Sequence, residues 1–429
     1  MSASTATMVP GASTSPGVQA KIAWRAPIAY IVVGLISLVV FALLTPAADT
    51  TQFIVASSDD FITISPFAVP SKLTALILSL IALGLGGWSA WATSKRRTTP
   101  VWLPIAFGLS VLLAFLVWVM AGNTNALPLT ILLAGSLTMA VPLVFGALAG
   151  LLCERSGIIN IAIEGQMLGG AFLAVVIASL TNNAYIGMIA APLAGALVGL
   201  VLVTFAVRYR IDQIIVGVVL NVLVIGVTNY LFSTVLTQNP QALNSPPRLP
   251  TLPIPVLSQI PVIGPVLFDH SIVIYLMYVA VAVLQVMVFR SRWGLRMRSV
   301  GEHPKAADTV GIKVNRTRVR NTVLGGAVAG LGGAALVAAG LAFTKELTSG
   351  KGYIALAAMI LGRWSPKGAL AAALLFGFAD SLRSVLGNLG SPVPSQFLAM
   401  LPYLATIFAV AGLVGRVRAP AAEGIPYVK

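Results

Sequence analysis

A chain of 429 residues, 58% hydrophobic and only 9% charged, cannot close a wettable surface around itself, which excludes an ordinary soluble domain. The solvent for most of this chain is therefore lipid, and its formal charge of +15 is first to be read against a membrane. The lone Cys153 rules out an intrachain disulfide.

In chain order, residues 1–20 are rich in Ser, Thr, Gly and Ala and are expected to form a disordered cytoplasmic N-terminus. Apolar runs then recur at 27–45, 71–92, 101–121, 129–152, 158–180, 185–207, 212–236, 271–289, 322–343, 353–362, 368–387 and 395–415. Crossing a bilayer core takes about 20 residues at 1.5 Å each, and every backbone group in lipid must be paired internally, so these runs are predicted helices. The first run is too long for a signal-peptide core and is expected to anchor the chain. The run 353–362 is too short to span and ends at Gly362-Arg363, which predicts a broken or re-entrant segment. The expected fold is an all-α, polytopic transmembrane bundle of about 10–12 spans. It divides into an N-terminal transmembrane extension (21–128), a core (129–418) carrying a cytoplasmic loop (290–321), and a cytoplasmic tail (419–429).

Lys and Arg are retained on the cytoplasmic side, which orients the bundle. Lys21 and Arg25, Lys95 to Arg97, Arg208 and Arg210, the loop from Arg290 to Arg320, and Arg416 and Arg418 all fall on one side when the spans alternate. The opposite side holds Asp49, Asp59 and Asp60 and a Pro-rich loop, 237–270, in which Arg248 is the one basic residue. Both termini are thereby predicted cytoplasmic. The positive charge follows this topology, so it predicts contact with anionic lipid and no nucleic-acid partner.

Few ionisable side chains lie in the spans, and the acids that approach lipid are Glu154, Glu164, Asp212 and Asp380. With the helix restarting near Ile158, Asn160, Glu164 and Met167 would share one face of it, and Asn221 and Asn229 one face of the seventh span. These five side chains are candidates to line a substrate path, or alternatively to tie helices together, since buried intramembrane polar groups need partners in either case. Gly326, Gly330 and Gly333 have the spacing of close helix packing. In the cytoplasmic loop, Pro304 fits the first position of a helix and Gly311 its left-handed terminator. The two turns between them, Pro304 to Val310, are too short to be stable alone, and Ala306 and Ala307 leave room for another protein to approach. From the residues alone, a docking helix and a capped turn in a solvated loop are about equally supported. No phosphate-binding G-x-x-x-x-G-K-[ST] loop, metal-ligand cluster or Ser-His-Asp set is present in the sequence, so no catalytic or metal residue is expected.

The run Gly294-Leu295-Arg296-Met297-Arg298-Ser299-Val300-Gly301-Glu302-His303-Pro304, followed by Ala306-Ala307 and Gly311-Ile312, resembles the signature of ABC-importer permease subunits for ribose-type sugars, nucleosides and branched-chain amino acids. Two further stretches are similar to the nucleoside, or simple-sugar, branch. One is Cys153-Glu154-Arg155-Ser156-Gly157-Ile158-Ile159-Asn160 with Glu164-Gly165. The other runs from Gly352-Tyr353 to Gly362-Arg363-Trp364, and Leu401-Pro402-Tyr403-Leu404 is a smaller likeness. The resemblance extends from about Leu129 to Gly415.

It implies a transport subunit of a bacterial inner membrane, not itself an enzyme. Gly301, Glu302, His303, Pro304, Ala306, Ala307, Asp308 and Gly311 would then form the coupling segment that meets a separate ATPase subunit, and ATP and Mg would be bound by that partner. The other implied partners are a second permease, homologous to this one, and an extracytoplasmic substrate-binding lipoprotein or periplasmic protein. The family commonly has Asn where this chain has His303, a weaker helix cap. Alternatives are a permease for another sugar or for branched-chain amino acids, and an ion-coupled secondary carrier, which the scarcity of membrane acids opposes.

Overall fold

The computed structural model describes residues 24–55, 65–100, 102–390, 393–394, 396–400, 403 and 418–428. The expectations for residues 1–20, Lys21, Asp59, Asp60 and Arg416, and for most of the run 395–415 including Leu401, Pro402 and Leu404, lie outside these. Among the described residues nine helices are long and apolar enough to cross a membrane. The protein is a multi-pass helical bundle.

Two compact units are present. The first comprises residues 1–45 and 72–116. Its helices are α1 (Arg25–Ile36, continued as a π-helical stretch to Leu43), α2 (Ser71–Ser94) and most of α3 (Trp102–Val119). Inside it, the Ser37 and Ser79 hydroxyls share a 2.8 Å hydrogen bond, and the rings of Tyr30 and Phe107 lie 4.7 Å apart.

The second unit takes residues 46–71 and everything from Val117 onward. A small sheet opens it. Strand β1 (Thr50–Ile54) pairs antiparallel with β2 (Phe67–Pro70) and parallel with β3 (Leu127–Pro128). The spans are α4 (Leu129–Glu154), α5 (Ile163–Thr181), α6 (Ala184–Val203) and α7 (Gln213–Leu231), the last two extended by π-helical turns. The Pro-rich segment after α7 holds two short helices, α8 (Pro240–Leu243) and α9 (Ile263–Leu267), and a two-stranded ribbon of β4 (Thr251–Pro253) and β5 (Asp269–Ser271). Next come α10 (Ile272–Arg290), α11 (Arg292–Glu302), α12 (Pro304–Thr309) and α13 (Val314–Val337). The half-length α14 (Lys351–Leu361) and α15 (Pro366–Asn388) follow.

Small residues place α13 at the centre. A Cβ on Gly326 would sit 2.3 Å from the Gly195 carbonyl oxygen, one on Gly330 2.4 Å from that of Ala191, and one on Gly333 2.0 Å from that of Met167. Only glycine lets α13 touch the backbones of α5 and α6, the packing its small-residue spacing predicted. Large side chains from α4 and α10, Phe145, Leu148 and Met277 among them, fill the rest of the core.

Three boundaries differ from the sequence expectation. The helix expected at 322–343 runs from Val314 to Val337, because Arg316, Arg318 and Arg320 extend it on the cytoplasmic side and Gly340, at φ 78°, lies beyond its end. The segment 290–321, expected as a cytoplasmic loop, is accordingly mostly helical, formed by α11, α12 and the start of α13. The second half of the motif segment begins its helix at Ile163, not near Ile158, because residues 158–160 run without helical structure. There the Ile159 N–H donates to Gln213 Oε1 at 2.7 Å.

Candidate functional site

Two sites emerge, and the α4–α5 connection links them. The first is recessed within the bundle. Ile163 packs beside Gly146 and Gly150 of α4, one to two turns before that helix ends at Glu154, so α5 begins about 6–12 Å inside the C-terminal end of its neighbour. Opposite it, residues 338–350 run without a helix until α14 begins, and at about 16 Å of helix α14 covers half a bilayer. The short run near 353–362 is thus a broken span.

Glu164 joins the two helix starts. Its carboxylate, in the first turn of α5 and 4% exposed, accepts the N–H groups of Gly350 at 2.8 Å and Gly352 at 2.6 Å and the Thr348 hydroxyl at 2.5 Å. These are donors a helix N-terminus leaves unpaired, and an anion there also opposes the positive end of both helices. A Cβ on Gly352 would meet Glu164 N at 2.4 Å, so glycine is required for the approach.

Asn221 of α7 completes the cluster. Its Oδ1 accepts Gly165 N–H at 2.8 Å, and its Nδ2 donates to the Ile161 carbonyl at 2.9 Å and the Tyr353 hydroxyl at 3.0 Å.

The five residues singled out for the interior are therefore not one surface. Glu164 and Asn221 meet at the start of α14. Asn160 precedes the helix instead of sharing a face with Glu164 and Met167, and its amide exchanges hydrogen bonds with Gln166 at 3.0 and 3.2 Å. Met167 is buried in the apolar core with Ala149, Ile163 and Ala329. Asn229 is half-buried, and its Oδ1 has no hydrogen-bond partner among the described residues.

The second site is the short helix α12. Pro304 is its first residue, Gly311 at φ 83° ends it, and the Ile312 N–H returns to the Ala307 carbonyl at 3.0 Å. His303 occupies the N-cap position without a side-chain cap, as its chemistry predicts. Lys305, Ala306, Thr309 and Val310 face outward, Val310 with 75% of its surface exposed.

Two expectations for this segment need correction. Ala307 does not face outward: it is 3% exposed and packs with Val300 and Val314. Gly301 is also internal, because a Cβ there would lie 2.3 Å from the Arg155 carbonyl oxygen.

The support behind α12 comes from the segment expected from sequence to be a cytoplasmic tail. Residues 418–428 lie against three elements. The Ala422 N–H donates to Gly301 O at 2.8 Å, the Gly424 N–H to Gly157 O at 3.3 Å, and the Ala421 N–H to Glu302 Oε2 at 3.2 Å. Arg318 of α13, counted from sequence among the basic residues that orient the bundle, is 1% exposed and donates to the Ile425 carbonyl at 2.9 Å. Tyr427 closes the apolar patch around Ala307 and interacts with Asp308. No local pattern in the chain announces these contacts, since Arg318 and Ile425 are 107 residues apart.

The α4–α5 turn is held on its other side by Trp364, three residues past the end of α14. Trp364 Nε1 donates to Glu154 Oε2 at 2.6 Å, and Arg155 donates twice to the Trp364 carbonyl, at 3.1 and 3.0 Å. Burial lowers the pKa of Arg155; Glu302 opposes that shift and Arg298 adds to it. Glu423 of the tail lies beside Glu154, and burial raises the Glu423 pKa.

The sign of that shift makes tail docking pH-dependent. A carboxyl whose pKa is raised on docking favours the docked state fully below its ordinary range and loses that contribution as pH rises through the raised value. A spin label at Val428 is expected to become more mobile as pH rises above the ordinary carboxylate range, and Glu423→Gln to keep it immobile throughout. Equal pH responses in both proteins would remove the carboxyl pair from the account.

Among the described residues there is no group of three or more His, Cys, Asp or Glu side chains able to hold a metal ion. The arrangement offers a bundle with a broken helix, a projecting short helix and a strut between them, which is suited to moving a solute.

Comparison with known proteins agrees with this reading. A guanosine ABC transporter permease protein of Bacillus subtilis, NupQ, is 39% identical over 312 residues, covering 70% of this chain and 97% of the relative. A nucleoside ABC transporter permease protein of Lactococcus lactis, NupC, is 38% identical over 312 residues, covering 70% and 98%. A second guanosine permease protein of B. subtilis, NupP, is 27% identical over 296 residues, covering 65% of this chain and 82% of its own length. No solved structure matches. Residues 132–411 match the family described as branched-chain amino acid transport system / permease component, and the chain belongs to that family.

Proposed function

We propose that this chain is the membrane-spanning permease subunit of an ATP-binding-cassette importer for nucleosides, set in a bacterial inner membrane and energised by a separate ATPase. The observation that carries the reading is α12. A six-residue helix with an exposed Ala306–Val310 face, buttressed on its opposite face by Ala307 and the tail, is a rigid knob for a partner's groove. The nucleoside and guanosine permeases among its relatives support the substrate class. Similarity to both NupQ and NupP, two guanosine permease proteins of one organism, favours a homologous second permease over a second copy of this chain.

In this reading an extracytoplasmic binding protein delivers the nucleoside, and ATP with Mg is held by the ATPase. Motion of the ATPase against α12 passes through Glu302, the tail and the Gly157 turn to the recessed start of α5. There Glu164 and Asn221 tie α5, α7 and α14 into one element, so the broken span moves with the cytoplasmic helix. This is a shift between two packed arrangements, driven by contacts that differ between them. Asn229, with its free oxygen, is the residue of the five best placed to meet substrate.

The test is reconstitution of this chain in liposomes with its homologous permease, ATPase and binding protein. ATP-dependent nucleoside uptake is the expected result. Uptake by this chain alone, driven by a proton or sodium gradient, would overturn the importer reading in favour of a secondary carrier.

A further inference from the structure

The start of α13 and the outer face of α11 enclose a cytoplasmic groove of 920 Å³ that is separate from the recessed cluster and shares only Val310 with the exposed face of α12. Five cations converge on it: Arg292 and Arg296 from α11, and Lys313, Arg316 and Arg320 from the segment entering α13. No acidic residue lines it. At its base is Asn321, 0% exposed, whose Nδ2 and Oδ1 both have no hydrogen-bond partner among the described residues. An amide buried with donor and acceptor both unmatched calls for a partner, water or ligand, that supplies the complement of each.

The remaining walls are apolar. Met287 and Trp293 border the groove near the end of α10, and Leu324, 38% exposed, borders it one turn further into α13. The groove therefore runs from five cations at the cytoplasmic side to hydrocarbon side chains on two helices that enter the membrane.

We propose that this groove is a binding site for one anionic phospholipid with a glycerol-phosphate headgroup. The guanidinium groups match the phosphodiester, for which Arg is the preferred partner. Asn321 Nδ2 donates to a phosphate oxygen, and its Oδ1 accepts from a headgroup hydroxyl, which a choline headgroup lacks. The acyl chains follow Met287, Trp293 and Leu324 toward the bilayer. A free phosphate fits the cations but leaves that apolar wall without an occupant. Because Val310, Gly311 and Ile312 also border the groove, a lipid seated there braces α11 against α13 at the root of α12. Basic pockets on the cytoplasmic side of membrane helices are suited to such headgroups. The inference does not depend on what the protein transports.

The test uses the purified full chain in neutral detergent, with lipid binding read by native mass spectrometry and thermal stability. Dioleoyl-phosphatidylglycerol is expected to bind saturably at one site per chain, at least tenfold more tightly than dioleoyl-phosphatidylcholine, and to raise the unfolding temperature. Arg296→Ala/Arg316→Ala, two exposed positions, should abolish that preference while the unliganded protein remains folded. Asn321→Ala should reduce it, and Lys95→Ala/Arg97→Ala, a basic cluster without a groove, should leave it intact. The proposal is overturned if glycerol 3-phosphate or inorganic phosphate competes as well as the lipid does, or if both double variants lose binding equally. It is also overturned if Arg296→Ala/Arg316→Ala keeps its lipid preference but no longer binds the ATPase, because the groove is then a protein-docking surface.

Discussion

Replacing Glu164 with alanine is expected to destabilise the bundle more than any other single substitution of its interior polar residues. The carboxylate is the shared partner of Thr348, Gly350 and Gly352, all close to or inside the start of α14. Removing it strands three donors where water is scarce, and a buried donor left unmatched costs about 1–3 kcal/mol. Part of this is recovered by relaxation, so a net loss on the order of 3 kcal/mol is expected. An 11-residue helix is not stable by itself, and with the donors at its start unpaired α14 should fray from that end. Glu164→Gln keeps an acceptor oxygen but sets an amide N–H₂ against a donor, so its effect should be intermediate. The measurement is the unfolding midpoint of the purified protein in lipid nanodiscs, with the order native, Gln, Ala. An alanine variant as stable as the native protein would show that the carboxylate does not hold the broken span together. The same variant is expected to lose transport in the reconstituted system even where it inserts, because the link from α5 to α14 is gone.

Ala306→Arg is the second substitution with a large expected effect, and its contrast with the adjacent alanine makes it informative. Ala306 lies on the exposed face of α12, so a long cationic side chain there has space in this chain and should disturb neither folding nor insertion. It should nonetheless obstruct a partner groove shaped for a methyl group, lowering ATPase affinity by about a hundred-fold, or roughly 2.7 kcal/mol. Ala307→Arg should behave oppositely: at 3% exposure it would break the patch shared with Val300, Val314 and Tyr427 and release the tail, with a loss visible in the unfolding midpoint. Pull-down of the ATPase and thermal unfolding separate the two effects. If Ala306→Arg retains full ATPase binding and coupled transport, α12 is not where hydrolysis is felt.

The helical spans were legible in the chain because lipid leaves the backbone one solution. An apolar run of sufficient length must be a helix, and the helices from α4 to α7 begin and end within a few residues of the apolar runs. The capped turn Pro304–Gly311 was legible for a similar reason, since proline and glycine restrict φ locally whatever surrounds them. The error at Asn160 has the opposite origin. Helical spacing put it on a face with Glu164, but hydrogen bonds to Gln166, and from Ile159 to Gln213 on another helix, hold that stretch out of helix. Periodicity has no means of seeing a partner 54 residues away.

What the sequence by itself determined was the class of the molecule, the course of its spans and the position of the short cytoplasmic helix, all consequences of solvent and local backbone chemistry. Tertiary structure alone decided the use of the polar residues. Glu164 became the cap of a helix begun nearly 190 residues later, Arg318 a buried anchor for the tail, and Ala307 an inward contact while its neighbour stayed free. A buried polar group has to be satisfied by whichever donor or acceptor the fold brings to it, and that pairing is set by three-dimensional proximity, which no local pattern in the chain encodes.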